Sequence, residues 1–181
     1  AVAAEDPRFY EHGGIDIWGT IRATVSNFVG SKVQGGSSIS QQYVKNILVM
    51  RAEDIADPVE RKAAYQTATA TNLDRKVKEL RYAMGLESQY SKDDILNGYL
   101  NIASFGGRVY GIEAAAERYF GVKAKDLTLG QAASLIATVN NPNNLRIDNP
   151  HLVSANQDRR NWVLDRMLAE GKITQQQHDE A

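Results

Sequence analysis

The chain has 181 residues, 43% of them hydrophobic and 24% charged, with a formal net charge of −1. That length suffices for one domain with a real core, and the charge balance gives no global attraction to nucleic acid or to an anionic membrane. There are no cysteines, which excludes disulfides, thiolate catalysis and cysteine-ligated metals.

The first stretch, AVAAEDPRFYEHGGID, sets Glu5 and Asp6 close to Phe9, His12, Gly13 and Gly14. A glutamate by itself is ordinarily a surface charge, and a lone histidine ordinarily supports a turn. The next segment, IDIWGTIRATVSNFVG, places Ile17, Ile21, Val25 and Phe28 on one helical face. Glycine-rich GSKVQGGSS follows, then a helix that can start at Ser37 or Ser38 and bury Ile39, Tyr43 and Ile47. Residues 49–74 lack a steady apolar period and include Pro58 and a Thr/Ala tract, so they read as a mobile excursion. In LDRKVKELRYAMGLESQY a helix is expected to bury Val77, Leu80 and Met84 and to keep a basic face.

Later helices carry start signals in which a hydroxyl and an acid or amide three residues on satisfy free backbone N–H groups. These pairs are Ser91 with Asp94, Thr128 with Gln131, Ser154 with Gln157 and Thr174 with Gln177, and Gly171 marks a helix end. A second glycine-rich stretch, FGGRVYG, runs from Phe105 to Gly111. Strand-like alternation is almost absent, so the class is mainly α. No run of about 18 apolar residues encodes a membrane span, and no signal peptide is found.

Three groups of residues could carry chemistry. Glu5 is the first. The second is QGGSSISQQYVKN, where glycines before a helix start offer backbone N–H groups to an anion. There Gln41 and Lys45 share one face while Gln42 and Asn46 form the next row. The third is RKVKELRYAMGLE, whose Arg75 and Lys76 lie four and three residues before Glu79, so both can reach that carboxylate. A solvated charged helix is the bland alternative. Together with the helix start, the third group reads as a phosphate site edged by a carboxylate. Neither a phosphate-binding Gly-x-x-x-x-Gly-Lys loop nor a His-Glu-x-x-His or Gly-x-Ser-x-Gly motif is present. Ser-x-x-Lys, Ser-Asp-Asn and Lys-Thr-Gly are also missing, so penicillin-sensitive acyl transfer is not encoded in these residues.

Taken in order, these stretches resemble the peptidoglycan glycosyltransferases, the transglycosylase domain of bifunctional penicillin-binding proteins and their monofunctional relatives. The first family block is met by Glu5, Asp6, Phe9, His12 and Gly14. The second is met by Gly35, Gly36, Ser37, Gln41, Gln42, Lys45 and Asn46, with Ser38 and Ser40 where threonine is usual. The third is complete in Arg75, Lys76, Glu79, Ala83, Leu86 and Glu87, and the fourth lies in ILNGYLNIASFGGRVYGIEAAAERYFG. Gln131 and Leu145 depart from the family's usual glutamate and aromatic, at positions expected to be scaffold.

The resemblance implies a lysozyme-like α fold with a smaller flexible jaw lobe. It implies polymerisation of lipid II, in which the acceptor 4-hydroxyl attacks a lipid-linked glycan and expels undecaprenyl pyrophosphate with inversion. An alcohol is a poor nucleophile, so a carboxylate must take its proton as the bond forms. Pyrophosphate leaves with help from cations rather than from a strong acid, whereas a glycosidase needs a protonated acid at the leaving oxygen.

By resemblance Glu5 is the general base and Glu79 the second essential carboxylate, near the donor pyrophosphate. Ser37, Gln42, Lys45 and Lys76 would hold donor phosphates and sugars, with Asp6, Phe9, His12, Gln41, Asn46 and Arg75 as further substrate-binding positions. No cofactor is required by this scheme, though a divalent cation (Mg or Mn) at the pyrophosphate is compatible with it. Expected partners are lipid II, the growing lipid-linked glycan, the membrane surface and phosphoglycolipid inhibitors of the moenomycin type, and not nucleic acid. The whole of 1–181 is expected to be one domain fragment at the outer face of the bacterial cytoplasmic membrane. Its membrane anchor and any transpeptidase domain would lie outside this chain, leaving Glu5 poorly anchored and the fragment weakened. Two rivals stay open at this level: a lysozyme-like muramidase or lytic enzyme, and a catalytically weak lipid-binding scaffold.

Overall fold

The computed structural model describes residues 1–12 and 37–181. The helix expected over Ile15–Gly30, and the glycines at 13, 14, 35 and 36, lie outside the described residues. Among the described residues the architecture is helical throughout, the one strand-like feature being an isolated bridge between Ser104 and Tyr110. The chain divides into two units, one formed by Ala1–Pro7 with Leu100–Ala181 and the other by Arg8–Tyr99.

The second unit is built on α2 (Ile39–Glu53), α3 (Pro58–Thr69) and α4 (Leu73–Gln89), followed by the start of α5 (Lys92–Ile102). Of the two candidate starts for α2, the structure selects Ser38. Its side chain accepts the Gln41 N–H, and the Gln41 side chain accepts the Ser38 N–H. Ile39 is buried as expected, but Val44 fills the deep position while Tyr43 and Ile47 are half-buried. Tyr43 lies against Gly98 of α5, where an added Cβ would come within 2.6 Å of the ring carbon Cζ.

The segment from 49 to 74 forms regular structure, with the last turns of α2 and the whole of α3. Asp57 caps α3 by accepting the N–H groups of Val59 and Glu60 at 2.9 and 2.8 Å, and Pro58 occupies the first turn. Only Ala68 of α3 is buried, which is why no apolar period marked the helix in the sequence.

Helix α4 buries a different stripe from the one expected: of Val77, Leu80 and Met84 only Leu80 packs on a core cluster. Val77 and Met84 are 47% and 41% exposed and Leu80 is half-buried, while Glu79 and Ala83 are buried. Its inward stripe is Glu79, Ala83 and Glu87, one turn apart, and each buried carboxylate has a cation on it. Periodicity finds a stripe but does not say which side faces in. At the start of α5, Ser91 and Asp94 form the expected reciprocal cap.

The first unit contains α1 (Val2–Glu5), the end of α5, α6 (Ile112–Phe120), a 3₁₀ turn (Ala124–Asp126), α7 (Leu129–Asn140), α8 (Val153–Ala169) and α9 (Gln175–Glu180). One core cluster gathers Ala103, Phe105, Ala115 and Leu135. Another gathers Ala133, Ile136, Val163 and Leu164, with Ala1 and Ala4 packed on it. The 105–111 loop turns tightly: Gly106 has φ 81°, and a Cβ there would meet Arg146 Cγ at 2.6 Å.

Thr128 with Gln131 and Thr174 with Gln177 cap α7 and α9 as expected, which gives Gln131 its scaffold role. Helix α8 differs. It begins at Val153 without a side-chain cap, so Ser154 already lies in its first turn. Gly171, at φ 64°, closes α8 as expected, its N–H reaching Leu168 O at 2.9 Å. Asn156 is buried and donates to the carbonyls of Ser134 and Leu145 and to Thr138 Oγ1, which joins α7 to α8.

Candidate active site

The candidate residues fall into two groups, one in each unit. In the first unit Glu5 ends α1, which packs on the Val163–Leu164 cluster through Ala1 and Ala4. Its side chain is only 9% exposed, and Arg159 Nη2 of α8 lies 3.8 Å from Glu5 Oε1. Glu5 is therefore held within the unit rather than loose, contrary to the expectation from its place in the sequence. Arg159 in turn stacks on Trp162, its guanidinium carbon 3.8 Å from the ring centroid. Burial pulls Arg159 below its ordinary pKa, and the Glu5 charge opposes that shift. Asp6 is half-buried beside it. Arg159 and Trp162 escaped the sequence reading, although the segment RRNW was visible in the closing stretch.

The second unit brings the SSISQQYVKN stretch, from Ser37 on, together with RKVKELRYAMGLE. Asn72 caps α4 by accepting the Arg75 N–H at 2.8 Å. Arg75 then donates from Nη1 to Glu79 Oε1 and from Nε to Ala70 O. Lys76 Nζ lies 3.5 Å from Glu79 Oε2 and donates to Ser37 Oγ at 2.5 Å. Glu79 is 1% exposed, so its two cations are what permit its burial.

Burial lowers the Lys76 pKa, Glu79 opposes this, and the charges of Arg75 and Lys45 lower it further. Lys76 thus feels two further cations, Arg75 and more weakly Lys45. Such an excess of positive charge suits an anion.

Gln42 bridges the same region, donating to Ser37 O at 3.2 Å and accepting from Tyr99 Oη at 2.9 Å. Lys45 is exposed and Asn46 half-buried. Gln41 is 3% exposed, and its carbonyl closes the cap of α2. That cap engages two of the N–H groups which the sequence offers to an anion, and leaves the side-chain cations as the larger contribution.

The remaining residues of the first block pack elsewhere in this unit. Phe9 is fully buried (0% exposed), with Tyr10 edge-on at 5.2 Å and Lys92 Nζ 4.7 Å above its ring. His12 is half-buried, with Nδ1 3.4 Å from the same Lys92 Nζ. Lys92 also pairs with Glu87 Oε2 at 2.9 Å, and Ser40 Oγ donates to Glu87 Oε1. Sequence reasoning placed Glu87 in a block without a role and passed over Lys92 and Tyr99.

Comparison with known proteins identifies the family. A family model described as Transglycosylase matches residues 1–168. Penicillin-binding protein 1A of Mycobacterium tuberculosis is 40% identical over 169 residues, covering 92% of this chain and 18% of that protein. Penicillin-binding protein 1A of Aquifex aeolicus is 41% identical over 183 residues, covering 99% of this chain and 22% of that protein. The Neisseria flavescens protein of the same name is 37% identical over 182 residues, with 99% and 20% covered. This chain therefore spans about a fifth of the length of these relatives. With the family model covering nearly the whole sequence, and with the cations and carboxylate of its third block assembled around Ser37 of its second, the chain belongs to the transglycosylase family.

Proposed function

We propose that this transglycosylase domain polymerises lipid II into peptidoglycan glycan strands, by inverting transfer from an undecaprenyl-pyrophosphate-linked donor to the acceptor 4-hydroxyl. The observation that carries this reading is the cluster of Ser37, Arg75 and Lys76 on the buried Glu79, with Lys45 acting on the same charges. In this reading Lys45, Arg75 and Lys76 hold the donor pyrophosphate and take up the charge that grows on it as the glycosidic bond breaks. Glu79 keeps Arg75 and Lys76 aligned. Glu5 accepts the proton of the attacking hydroxyl, and Arg159 beside it holds its carboxylate in place. Gln42 and Ser37 orient the sugar and phosphate groups. A hydrolase would need a protonated acid at the leaving oxygen; Glu79, with an arginine and a lysine on its oxygens, is instead an anionic partner of cations.

Among the described residues no group of three or more His, Cys, Asp or Glu side chains could hold a metal ion. Glu79 already serves two cations, so these residues do not fit a protein-ligated divalent ion, and charge neutralisation is assigned to the side chains. No helix of the described residues is long and apolar enough to cross a membrane. We place the working enzyme at the outer face of the cytoplasmic membrane, held by a segment outside these residues. The exposed Val59, Tyr65, Leu73, Val77 and Tyr82 support a membrane-surface contact. Phosphoglycolipid inhibitors of the moenomycin type would occupy the same cation cluster.

The test is polymerisation of lipid II in detergent by the wild type and by Glu5→Gln. The variant is expected to fold and to lose about a hundredfold or more in rate, the usual contribution of a general base. Purified glycan strands form the second arm. Their cleavage without consumption of lipid II would overturn the assignment, and wild-type turnover in Glu5→Gln would remove Glu5 from the mechanism.

A further inference from the structure

We infer that Lys92 is a positioning residue for His12, fixing the tautomer of that ring with Nδ1 as the acceptor and the proton on Nε2. The ammonium of a lysine offers three donors and no acceptor. Lys92 directs Nζ at Glu87 Oε2 (2.9 Å), at His12 Nδ1 (3.4 Å) and over the face of Phe9 (4.7 Å). A nitrogen facing a group that can only donate must itself accept, so Nδ1 carries no proton and Nε2 carries it.

The ammonium is held firmly enough to impose this choice. Glu87 is 1% exposed at its side chain and receives a second hydrogen bond from Ser40 Oγ, which is fully buried. Phe9, under the ammonium, is also fully buried. The turn that carries His12 is closed by Arg8 O, which accepts the N–H groups of Glu11 and His12 at 2.9 and 3.1 Å. Next along α5, Asp93 accepts from Tyr10 Oη at 2.8 Å, so two neighbouring residues of α5 grip the Arg8–His12 turn. A cation that only filled a salt bridge with Glu87 would not need the histidine and the aromatic face as well. The consequence is a polar N–H of fixed direction on a residue that the family block makes part of the substrate site. This inference rests on the lipid II reading for that last step, while the tautomer itself does not.

The experiment has two readouts on the full chain. The first is the ¹⁵N spectrum of the histidine rings at about pH 8, where an unperturbed imidazole is neutral, with His12 assigned by its loss in His12→Gln. The wild type is expected to show a pyrrole-like Nε2 and a pyridine-like Nδ1 at His12. The paired variant Glu87→Gln/Lys92→Met, which leaves no uncompensated buried charge, is expected to show both tautomers. The second readout is kcat/KM for lipid II, expected to fall on the order of tenfold in the paired variant, as misplacement of a positioned group does. Adding His12→Gln to that pair should cost no more than His12→Gln alone, since groups acting through one another are not additive.

An Nδ1–H tautomer or a doubly protonated His12 in the wild type overturns the inference, and that measurement needs no variant to fold. An unchanged single tautomer in the paired variant, or additive losses in the cycle, overturns it equally. If no form of the protein consumes lipid II, the proposed function fails, while the ring spectrum still decides the tautomer.

Discussion

Glu87 shows how one side chain can be both buried and charged. Desolvation alone would push its carboxyl up, but hydrogen bonds from Ser40 and Lys92, then the charge of Lys92, outweigh this. They hold the carboxyl below the ordinary value of 4.5. A carboxyl depressed on folding contributes stability that is fully present above its unfolded value. That contribution is lost as pH falls through the lower folded value. The wild type should therefore lose stability on acidification below about pH 4.5 in a step that Glu87→Gln lacks. At neutral pH the same substitution leaves Lys92 without its anion and should cost about 3 kcal/mol, the usual result of breaking a buried pair. Denaturant titrations of both proteins at neutral and acidic pH check the two statements together. Equal acid sensitivity in the two proteins would show that Glu87 is not the group responsible.

Among the elements, what could be read in advance depended on whether the signal was local. The caps at Ser91, Thr128 and Thr174 are reciprocal contacts over three residues, and all three form. Ser154 carries the same pattern, yet the N-cap of α8 falls two residues earlier, at Leu152, and Asn156 within the motif is held by the carbonyls of Ser134 and Leu145 outside it. Helix α3 has a local start signal in Asp57 and Pro58 but almost no buried face, so its apolar pattern is silent. In α4 the pattern is loud and misleading, since Arg75 and Lys76 of the same helix and Lys92 of α5 supply cations that make a carboxylate stripe the buried one. The site residues were legible as blocks; their pairings, Ser37 with Lys76 and Gln42 with Tyr99, join segments far apart in sequence and were not.

The cap of α2 gives a test at this scale. Ser38→Ala removes the acceptor of the Gln41 N–H and should cost about 1 kcal/mol. It should also lower the polymerisation rate, because Ser37, which receives Lys76, is the residue just before that cap. Unchanged stability in thermal melts would mean that the start of α2 is held by something else.

At the scale of the whole molecule, charge and apolar surface make separable demands. A net charge of −1 cannot draw the protein to an anionic bilayer over distance. Arg75 and Lys76 are gathered on one carboxylate, Glu79, and Lys45 is near enough to act on Lys76. Among its described residues the second unit also exposes an apolar stripe. Leu73, Val77 and Met84 recur at helical spacing along α4, at 50%, 47% and 41% exposure, on a face other than that of Glu79 and Glu87. A cavity of about 900 Å³ lies in the same unit, bounded in part by Leu48, Ile55, Ala64, Val77 and Tyr82. Burying one such side chain in hydrocarbon stabilises by about 1.5–3 kcal/mol, so the exposed stripe exceeds any contribution from net charge.

Attachment to vesicles should then depend on the stripe and hardly on lipid charge. Neutral and anionic vesicles are expected to bind within about twofold of each other at physiological salt, where screening limits reach to about 8 Å. Val77→Asp and Met84→Asp should each weaken binding on the order of tenfold. Turnover of detergent-dispersed lipid II by either variant should stay near that of the wild type, because Val77 and Met84 are exposed while Glu79 is buried. Sedimentation with vesicles and the detergent assay, run on the same preparations, distinguish the two demands. A strong preference for anionic vesicles, full binding by the aspartate variants, or no binding by the wild type would show that the apolar face of α4 is not a membrane contact.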